Sequence, residues 1–176
     1  MDFSGLDRLF RQLAEAGFLP GAVVGVAREG EVIFQGVYGY LDPEKRLPMR
    51  EDALFRVYSM TKPWVSALAL SLVEDLLEAA TGKSLKDLLE TRVFAPLGMR
   101  DSGFQAQDPA RLAQPFPQDP ETGRRIALIP VEAPPPRYAG GMGGVSTASD
   151  YLRFLEALRT GKGLLHPRLA RLMTED

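Results

Sequence analysis

The pattern of apolar and polar residues divides the first third of the chain into a helix and a hairpin. Apolar residues recur at helical spacing after Ser4 or Asp7. Gly17 and Pro20 are typical of the end of such a helix. The pair Glu29-Gly30 predicts a turn between two apolar segments, which favours a β-hairpin. The predicted strands span residues 22–27, which we expect to be buried, and 32–40.

The middle of the chain carries the longest helical pattern. Apolar residues at three- and four-residue steps over 61–81 predict one long helix, which Gly82 ends. Ser84 has the spacing of a capping-box residue and predicts a shorter helix over 84–94. Residues 47–52 form a polar connection that leads from the hairpin towards the long helix.

The next segment is rich in proline and has weak periodicity. Residues 107–136 predict at most one strand, around 126–131. A loop of this length in a compact domain is typical of an active-site border or a mobile segment. The glycine run 140–144 follows and predicts a tight turn with positive φ, since it lacks the lysine and the spacing of a phosphate-binding loop.

Two amphipathic helices follow the glycine run. Thr147 or Ser149 caps the first helix, Gly161 ends it, and Pro167 opens the second. The elements together predict an α+β fold, in which an antiparallel sheet is flanked by the N- and C-terminal helices. The side chains predicted to face inward are Leu152, Leu155, Leu158, Leu169 and Leu172.

Composition and charge exclude several classes of protein. The chain has 176 residues, enough for a single domain with its own core, and its 45% hydrophobic and 25% charged residues are typical of a soluble globular protein. A net charge of -2 without a basic run argues against a nucleic-acid partner. The chain has neither a long apolar run nor a targeting pattern at residues 1–5, so we expect a cytoplasmic protein that does not bind a membrane.

Cysteine and histidine usage limits the chemistry further. The absence of cysteine excludes disulfides, thiol catalysis and cysteine-ligated metals. A single histidine, His166, cannot form an imidazole cluster for a metal, and its place in a turn before a helix predicts a surface residue. We therefore expect no metal site.

The strongest candidate for chemistry is the pair Ser59 and Lys62. Pro63 is tolerated only in the first turn of a helix, so the long helix begins near Ser59 and its unpaired N–H groups surround this hydroxyl. Residues three apart on a helix share a face, so the hydroxyl and the amine can meet. A serine is a poor nucleophile until a neighbouring base takes its proton.

Lysine can be that base only when desolvation or positive charge lowers its pKa far below about 10.4. The apolar neighbours Val57, Trp64 and Val65 predict such desolvation. The spacing alone also fits an alternative, in which Ser59 is a helix cap and Lys62 a solvated lysine. We expect Trp64 to be a core residue.

Three separated stretches of sequence resemble the serine β-lactamase and penicillin-binding-protein superfamily. They are similar to its class C-like branch, which contains β-lactamases, D-alanyl-D-alanine peptidases and esterases. The first surrounds Ser59 and Lys62, and the three occur in the order that the family has. They comprise residues 52–63, 78–85 with 94–104, and 140–154.

This resemblance implies a β-lactamase/transpeptidase-like fold and a serine hydrolase that cleaves an ester or amide of a small substrate and requires no organic cofactor. It implies Ser59 as the nucleophile that forms an acyl-enzyme, Lys62 as its general base, and the Ser59 backbone N–H as one oxyanion donor. By the same resemblance, Tyr138 and Gly143 border the substrate cleft.

The chain departs from the family in two places. The family carries a helical lobe with a Tyr-x-Asn motif after the nucleophile helix, but here 73–75 leads almost directly into 76–78 and the motif is absent. The family also has later strands with a Lys-Thr-Gly or His-x-Gly motif, and this sequence lacks them. We expect Tyr58 and Tyr151 to be core or rim residues that do not replace the missing tyrosine.

The departures keep a second hypothesis open. A shortened relative could be non-catalytic and bind a ligand or partner through the same cleft. The reduced sheet would also expose an edge, which a second copy of the chain could cover in a homo-oligomer.

Overall fold

A computed structural model of the protein describes residues 1–74, 83–119, 121–136 and 138–174. The end of the helix predicted over 61–81 lies outside these residues. The chain divides into two compact units. The prediction of a single domain stays a prediction, and each unit is described by itself. Unit 1 comprises Met1–Phe55 and Asp108–Ile129, and unit 2 comprises Arg56–Gln107 and Pro130–Asp176.

Unit 1 is a helix followed by a three-stranded antiparallel sheet in the order β1-β2-β3. The predicted hairpin is present, and its turn residues Glu29 and Gly30 have φ of 55° and 87°. The sheet therefore confirms the antiparallel prediction. The elements are α1 (Ser4–Glu15), β1 (Gly21–Arg28), β2 (Glu31–Asp42) and β3 (Leu47–Pro48).

Helix α1 packs on one face of β2. The Phe10 ring stacks on Tyr38 with centroids 5.6 Å apart, and the Tyr38 hydroxyl donates to Asp7 over 2.9 Å. The predicted burial of β1 is wrong, because residues 21–26 are only half-buried. Strand β1 pairs only with β2 among the described strands and thus lies at an edge of the sheet.

The proline-rich segment contains no regular strand among its described residues. The strand predicted around 126–131 is wrong, since the nearest pairing is a single bridge between Gln118 and Arg125. Pro130 has no N–H to donate to a ladder, which accounts for the difference. A 3₁₀ turn at Pro109–Arg111 lies nearby in unit 1.

Unit 2 is mainly helical and carries the predicted Ser59–Lys62 pair. A 3₁₀ turn, Tyr58–Met60, leads directly into the long helix, which confirms the predicted helix start. Strand β5 pairs with β4. The elements are β4 (Phe55–Arg56), of which Arg56 belongs to this unit, α2 (Thr61–Glu74), α3 (Leu85–Leu89) with a π-helical turn (Glu90–Phe94), β5 (Val145–Ser146), α4 (Ala148–Thr160) and α5 (Pro167–Thr174).

The helix ends of unit 2 follow the predicted capping residues. The Ser84 hydroxyl accepts from the Asp87 N–H over 3.2 Å, and the Thr147 side chain caps α4 by accepting from Asp150. Gly161 ends α4 in the left-handed conformation, with φ of 72°. These caps explain why the predicted boundaries agree with the structure.

The core of unit 2 surrounds Trp64, which is fully buried as predicted. The Trp64 ring meets Phe94 edge-on at 5.1 Å, and Phe154 of α4 belongs to the same cluster. The prediction that Leu155 faces inward is wrong, since this residue is 47% exposed. The buried stripe of α4 instead runs through Phe154 and Leu158, four residues apart, and Leu155 lies about 100° further round the helix.

Within the described ranges, no helix combines the length and the apolar character that crossing a bilayer requires.

Candidate active site

Ser59 and Lys62 lie side by side at the start of α2. The Lys62 Nζ atom donates a hydrogen bond to the Ser59 Oγ atom over 2.9 Å. The 3₁₀ turn places Ser59 before the helix, and Pro63 occupies the first turn of α2, where its missing N–H costs no helical hydrogen bond. The side chains are thus close enough for direct proton transfer.

The predicted dry environment of this pair is wrong. Ser59 and Lys62 are both exposed to solvent. Val57 and Trp64 are buried, but they belong to the hydrophobic core of unit 2 and so leave the amine exposed. The apolar residues that flank Lys62 in sequence stabilise the helix rather than desolvate its amine.

Tyr58, immediately before Ser59, has a backbone conformation that bulky residues rarely adopt. Its φ is 45°, in the left-handed region, which costs about 1–3 kcal/mol for a residue other than glycine. Its side chain is 42% exposed, so it is a rim residue. Such strain persists only where the surrounding structure holds it.

The glycine run lies against the Ser59 turn. Gly143 has φ of 92°, which confirms the predicted positive φ at one of its positions. The Gly141 carbonyl accepts a hydrogen bond from Lys62 Nζ over 3.1 Å. A Cβ atom on Gly144 would lie 2.6 Å from the Trp64 ring, so only glycine fits there. The amine of Lys62 is therefore held between the Ser59 hydroxyl and a backbone carbonyl.

Thr61 joins the Ser59 turn to the glycine run, and sequence reasoning missed it. Its hydroxyl donates to the Tyr58 carbonyl over 2.6 Å and accepts from the Gly144 N–H over 3.1 Å. The residue is fully buried. The sequence does contain a feature that could have predicted it. Thr61 is a hydroxyl residue between the candidate nucleophile and base, at a helix position that faces the core and would ordinarily be apolar.

The structure places Tyr138 on a cavity of about 270 Å³ in unit 2. The Tyr138 ring packs on Phe104 with centroids 5.2 Å apart, and a Cβ on Gly143 would lie 3.8 Å from the same Phe104 ring. Neither Ser59 nor Lys62 lines this cavity. The structure thus brings Ser59, Lys62 and the glycine run together, and the Phe104 ring contacts Tyr138 and adjoins Gly143 of that run.

A buried arginine lies just before the Ser59 turn. Arg56, with 7% of its side chain exposed, donates to Glu132 over 2.9 Å. Burial acts to raise the pKa of Glu132, but its backbone hydrogen bonds, chiefly from the Val131 N–H, and the Arg56 charge outweigh burial and hold this pKa below its usual 4.5. The pair ties the segment that leads to Ser59 to the proline-rich segment of unit 2.

Tyr151 does not face Ser59 as a free phenol. Its hydroxyl donates to the Met60 carbonyl over 2.9 Å, and its ring packs on Trp64 with centroids 5.6 Å apart. Burial raises the pKa of this phenol. Tyr151 is therefore half-buried at the rim, as predicted from the sequence.

The described residues contain no group of three or more histidine, aspartate or glutamate side chains arranged to hold a metal ion. His166 is exposed, as predicted, and its Nδ1 atom accepts from the Arg168 N–H over 3.3 Å.

Comparison with known proteins finds relatives that are named as hydrolases. Esterase EstB of Burkholderia gladioli is 26% identical over 288 residues, a match that covers 97% of this chain and 74% of EstB. A D-aminopeptidase of Brucella anthropi is 33% identical over 88 residues, but this match covers only 47% of the chain and 17% of the relative. The EstB match is longer than the chain itself, so its alignment opens gaps in this sequence.

Among solved structures, EstCE1, described as a hydrolase with promiscuous acyltransferase activity, has the same fold. It superposes with a TM-score of 0.81 at 22% identity, covering 96% of this chain and 75% of EstCE1. This likeness confirms the predicted β-lactamase/transpeptidase-like fold.

The sequence profile of the Beta-lactamase family matches residues 6–76 and 72–176. The two matches meet where the sequence lacks the expected helical lobe and its Tyr-x-Asn motif. Since they span nearly the whole sequence, the chain belongs to the Beta-lactamase family of hydrolases.

Proposed function

We propose that this protein hydrolyses an ester or amide of a small molecule through an acyl-enzyme on Ser59, with Lys62 as the base. The observation that carries the proposal is the 2.9 Å hydrogen bond between the Lys62 amine and the Ser59 hydroxyl at the start of α2. A nucleophile within hydrogen-bond reach of a base is the geometry that acyl transfer requires.

In the proposed reaction, Ser59 Oγ attacks the substrate carbonyl while the Lys62 amine takes its proton. The tetrahedral oxyanion collapses, the bond to the alcohol or amine breaks, and the Lys62 ammonium returns the proton to that leaving group. Water then attacks the acyl-enzyme carbonyl while the Lys62 amine takes its proton, the bond between the acyl group and Ser59 Oγ breaks, and Lys62 returns the proton to Ser59 Oγ as the acid product leaves. The Ser59 backbone N–H is one donor for the tetrahedral oxyanion.

The Lys62 amine must be uncharged to take the Ser59 proton, and in the free protein this amine is exposed to water. A bound substrate would displace water from this amine, and closure of a site in this way strengthens the interactions within it. The Gly141 carbonyl, 3.1 Å from Lys62 Nζ, fixes the direction of the amine before the substrate arrives.

The names of the relatives support the substrate class. EstB is named an esterase, and the Brucella anthropi relative is named a D-aminopeptidase, so both an ester and an amide are reasonable first substrates. We propose that Gly143 and Tyr138 border the bound substrate. Gly143 lies two residues after Gly141, whose carbonyl accepts a hydrogen bond from Lys62. The Phe104 ring adjoins Gly143 and contacts Tyr138.

Covalent labelling tests the proposal. A fluorophosphonate probe should form one adduct on Ser59, located by peptide mass spectrometry, and Ser59→Ala should abolish both the adduct and the hydrolysis of p-nitrophenyl acetate. The matched control is Ser66→Ala, because Ser66 is exposed on the same helix and has no predicted role. A folded protein that carries no adduct on Ser59 contradicts the proposed enzyme.

A second function has two observations in its favour. The sequence contains no asparagine, so the family's Tyr-x-Asn motif cannot occur anywhere in it, and Lys62 is solvated. A non-catalytic relative would bind a small ligand or partner with the same turn. In that case the wild type would bind a candidate ester without turning it over, and Ser59→Ala would still bind it. If the protein is an enzyme, the wild type turns the ester over and Ser59→Ala does not.

A further inference from the structure

We propose that Thr61 is a positioning residue, whose hydroxyl sets the direction of both the Ser59 N–H and the glycine run beside Lys62. The inference rests on the proposed function of Ser59 and Lys62. Thr61 is fully buried and its hydroxyl makes two hydrogen bonds, donating to the Tyr58 carbonyl and accepting from the Gly144 N–H.

The first of these bonds acts on the peptide unit that carries the oxyanion donor. The Tyr58 carbonyl and the Ser59 N–H belong to one planar trans peptide, so their directions are opposite and fixed to each other. Because the Thr61 hydroxyl lies 2.6 Å from the Tyr58 oxygen, it directs this oxygen towards the protein interior. The Ser59 N–H must then point away from Thr61.

The left-handed backbone of Tyr58 makes this restraint necessary. A φ of 45° is unfavourable for an aromatic residue, and the chain relaxes from it unless other contacts oppose the change. The short Thr61–Tyr58 bond opposes it directly, since rotation of the Tyr58 backbone would carry the carbonyl away from the hydroxyl.

The second bond reaches across the chain to the glycine run. Gly144 is 83 residues from Thr61 in sequence, and its carbonyl also accepts from the Val57 N–H over 2.9 Å. The same run carries Gly141, whose carbonyl holds the Lys62 amine. One buried hydroxyl thus connects the backbone on the Ser59 side of the site with the backbone on the Lys62 side.

A helix-start threonine that bonds a carbonyl three residues earlier is common, and that bond alone would indicate only local stabilisation. The second partner and the strained residue distinguish Thr61 from this ordinary case. A purely structural threonine would affect how much protein is folded, whereas a positioning residue would affect how fast the folded protein reacts.

The test measures the labelling of Ser59 by a fluorophosphonate probe in two variants of Thr61 and one control. Thr61→Val keeps the shape but removes the hydroxyl, and Thr61→Ser keeps the hydroxyl. Loss of one oxyanion donor costs about 10²–10³ in turnover, so a donor that is only misdirected should cost about 10- to 100-fold. We expect Thr61→Val to lower the rate constant of the covalent step by that factor without weakening the initial binding of the probe, and Thr61→Ser to stay within about threefold of wild type.

The matched control is Thr147→Val. Thr147 is another buried threonine, but its hydroxyl caps α4 and contacts neither Ser59 nor Lys62. It should unfold more easily but label at the wild-type rate constant. Instability lowers the fraction of protein that labels rather than the rate constant of the folded fraction, so the two effects separate. Urea unfolding of each variant provides the folded fraction.

The outcomes are distinct. A wild-type protein that does not label on Ser59 contradicts the proposed function itself. Labelling of the wild type and Thr61→Val at equal rates overturns the positioning role alone. An equal decrease of the labelling rate constant in Thr61→Val and Thr61→Ser also overturns it, because such a result would implicate packing of the side chain rather than the hydroxyl. If Thr61→Val does not fold, Thr61→Ala is measured in its place, and failure of both to fold would make Thr61 a structural residue and the inference wrong.

Discussion

At the scale of single residues, the site depends on close backbone approach at Gly144. A Cβ at this position would lie 2.6 Å from the Trp64 ring, 2.7 Å from the Thr61 hydroxyl and 2.9 Å from Val57. Real Cβ atoms do not approach other atoms this closely. These three neighbours are buried, so none can move aside into solvent.

We therefore expect Gly144→Ala to lower the free energy of unfolding by about 1–3 kcal/mol, the usual cost of overpacking a core. The same substitution should slow labelling of Ser59, because the glycine run must shift away from Thr61. Gly103→Ala is the control, since a Cβ there meets nothing within 4 Å and its φ is not positive. Urea unfolding checks the prediction, and equal stability of the two variants would contradict it.

At the scale of elements, the segment before Ser59 is anchored by the ion pair between Arg56 and Glu132. The pKa of Glu132 lies below its usual 4.5 in the folded protein, as a result of its backbone hydrogen bonds and the Arg56 charge acting against burial. A carboxylate whose pKa falls on folding stabilises the protein at pH values above its pKa in the unfolded chain. This contribution is lost as the pH falls through its pKa in the folded protein.

The loss of this contribution in acid can be measured with Glu132→Gln, which keeps the shape and removes the charge. The wild type should be more stable than the variant at pH 6.5, and the difference should shrink as the pH falls below about 4.5. Chemical unfolding of both proteins between pH 6.5 and 3 provides the comparison. A difference that stays constant over this range would show that the charge of Glu132 does not stabilise the fold.

At the scale of the whole molecule, the elements could be predicted from the sequence because their signals are local. Ser84 and Thr147 cap helices, Gly161 ends one, and the hairpin turn at Glu29 joins two apolar segments. Spacing alone also predicted that the Ser59 and Lys62 side chains would meet, since residues three apart share a helix face.

The remaining features depend on contacts between distant parts of the sequence. The exposure of Lys62 follows from where Trp64 packs, and the bonds of Thr61 require Gly144, which is 83 residues away. The strain at Tyr58 persists only because these contacts hold it. Sequence patterns record which residues are apolar, but they do not record which neighbour each residue finds, so the surroundings of the site needed the structure.

The homo-oligomer stays a prediction, and the edge of the sheet in unit 1 offers a way to test it. Strand β1 has eight residues, pairs only with β2 among the described strands, and carries neither lysine nor proline to block further pairing. We expect a second copy to pair with this edge, so sedimentation velocity should show a fraction of dimer that increases with protein concentration.

Ala27→Lys adds a charge at an exposed position beside Arg28 and should raise the dissociation constant of the dimer by about three- to tenfold through like-charge repulsion. Gly5→Lys, on the exposed start of α1, adds the same charge away from the edge and serves as the control. A wild-type protein that stays monomeric at all concentrations would contradict the prediction, and equal weakening by both variants would assign the interface to another surface.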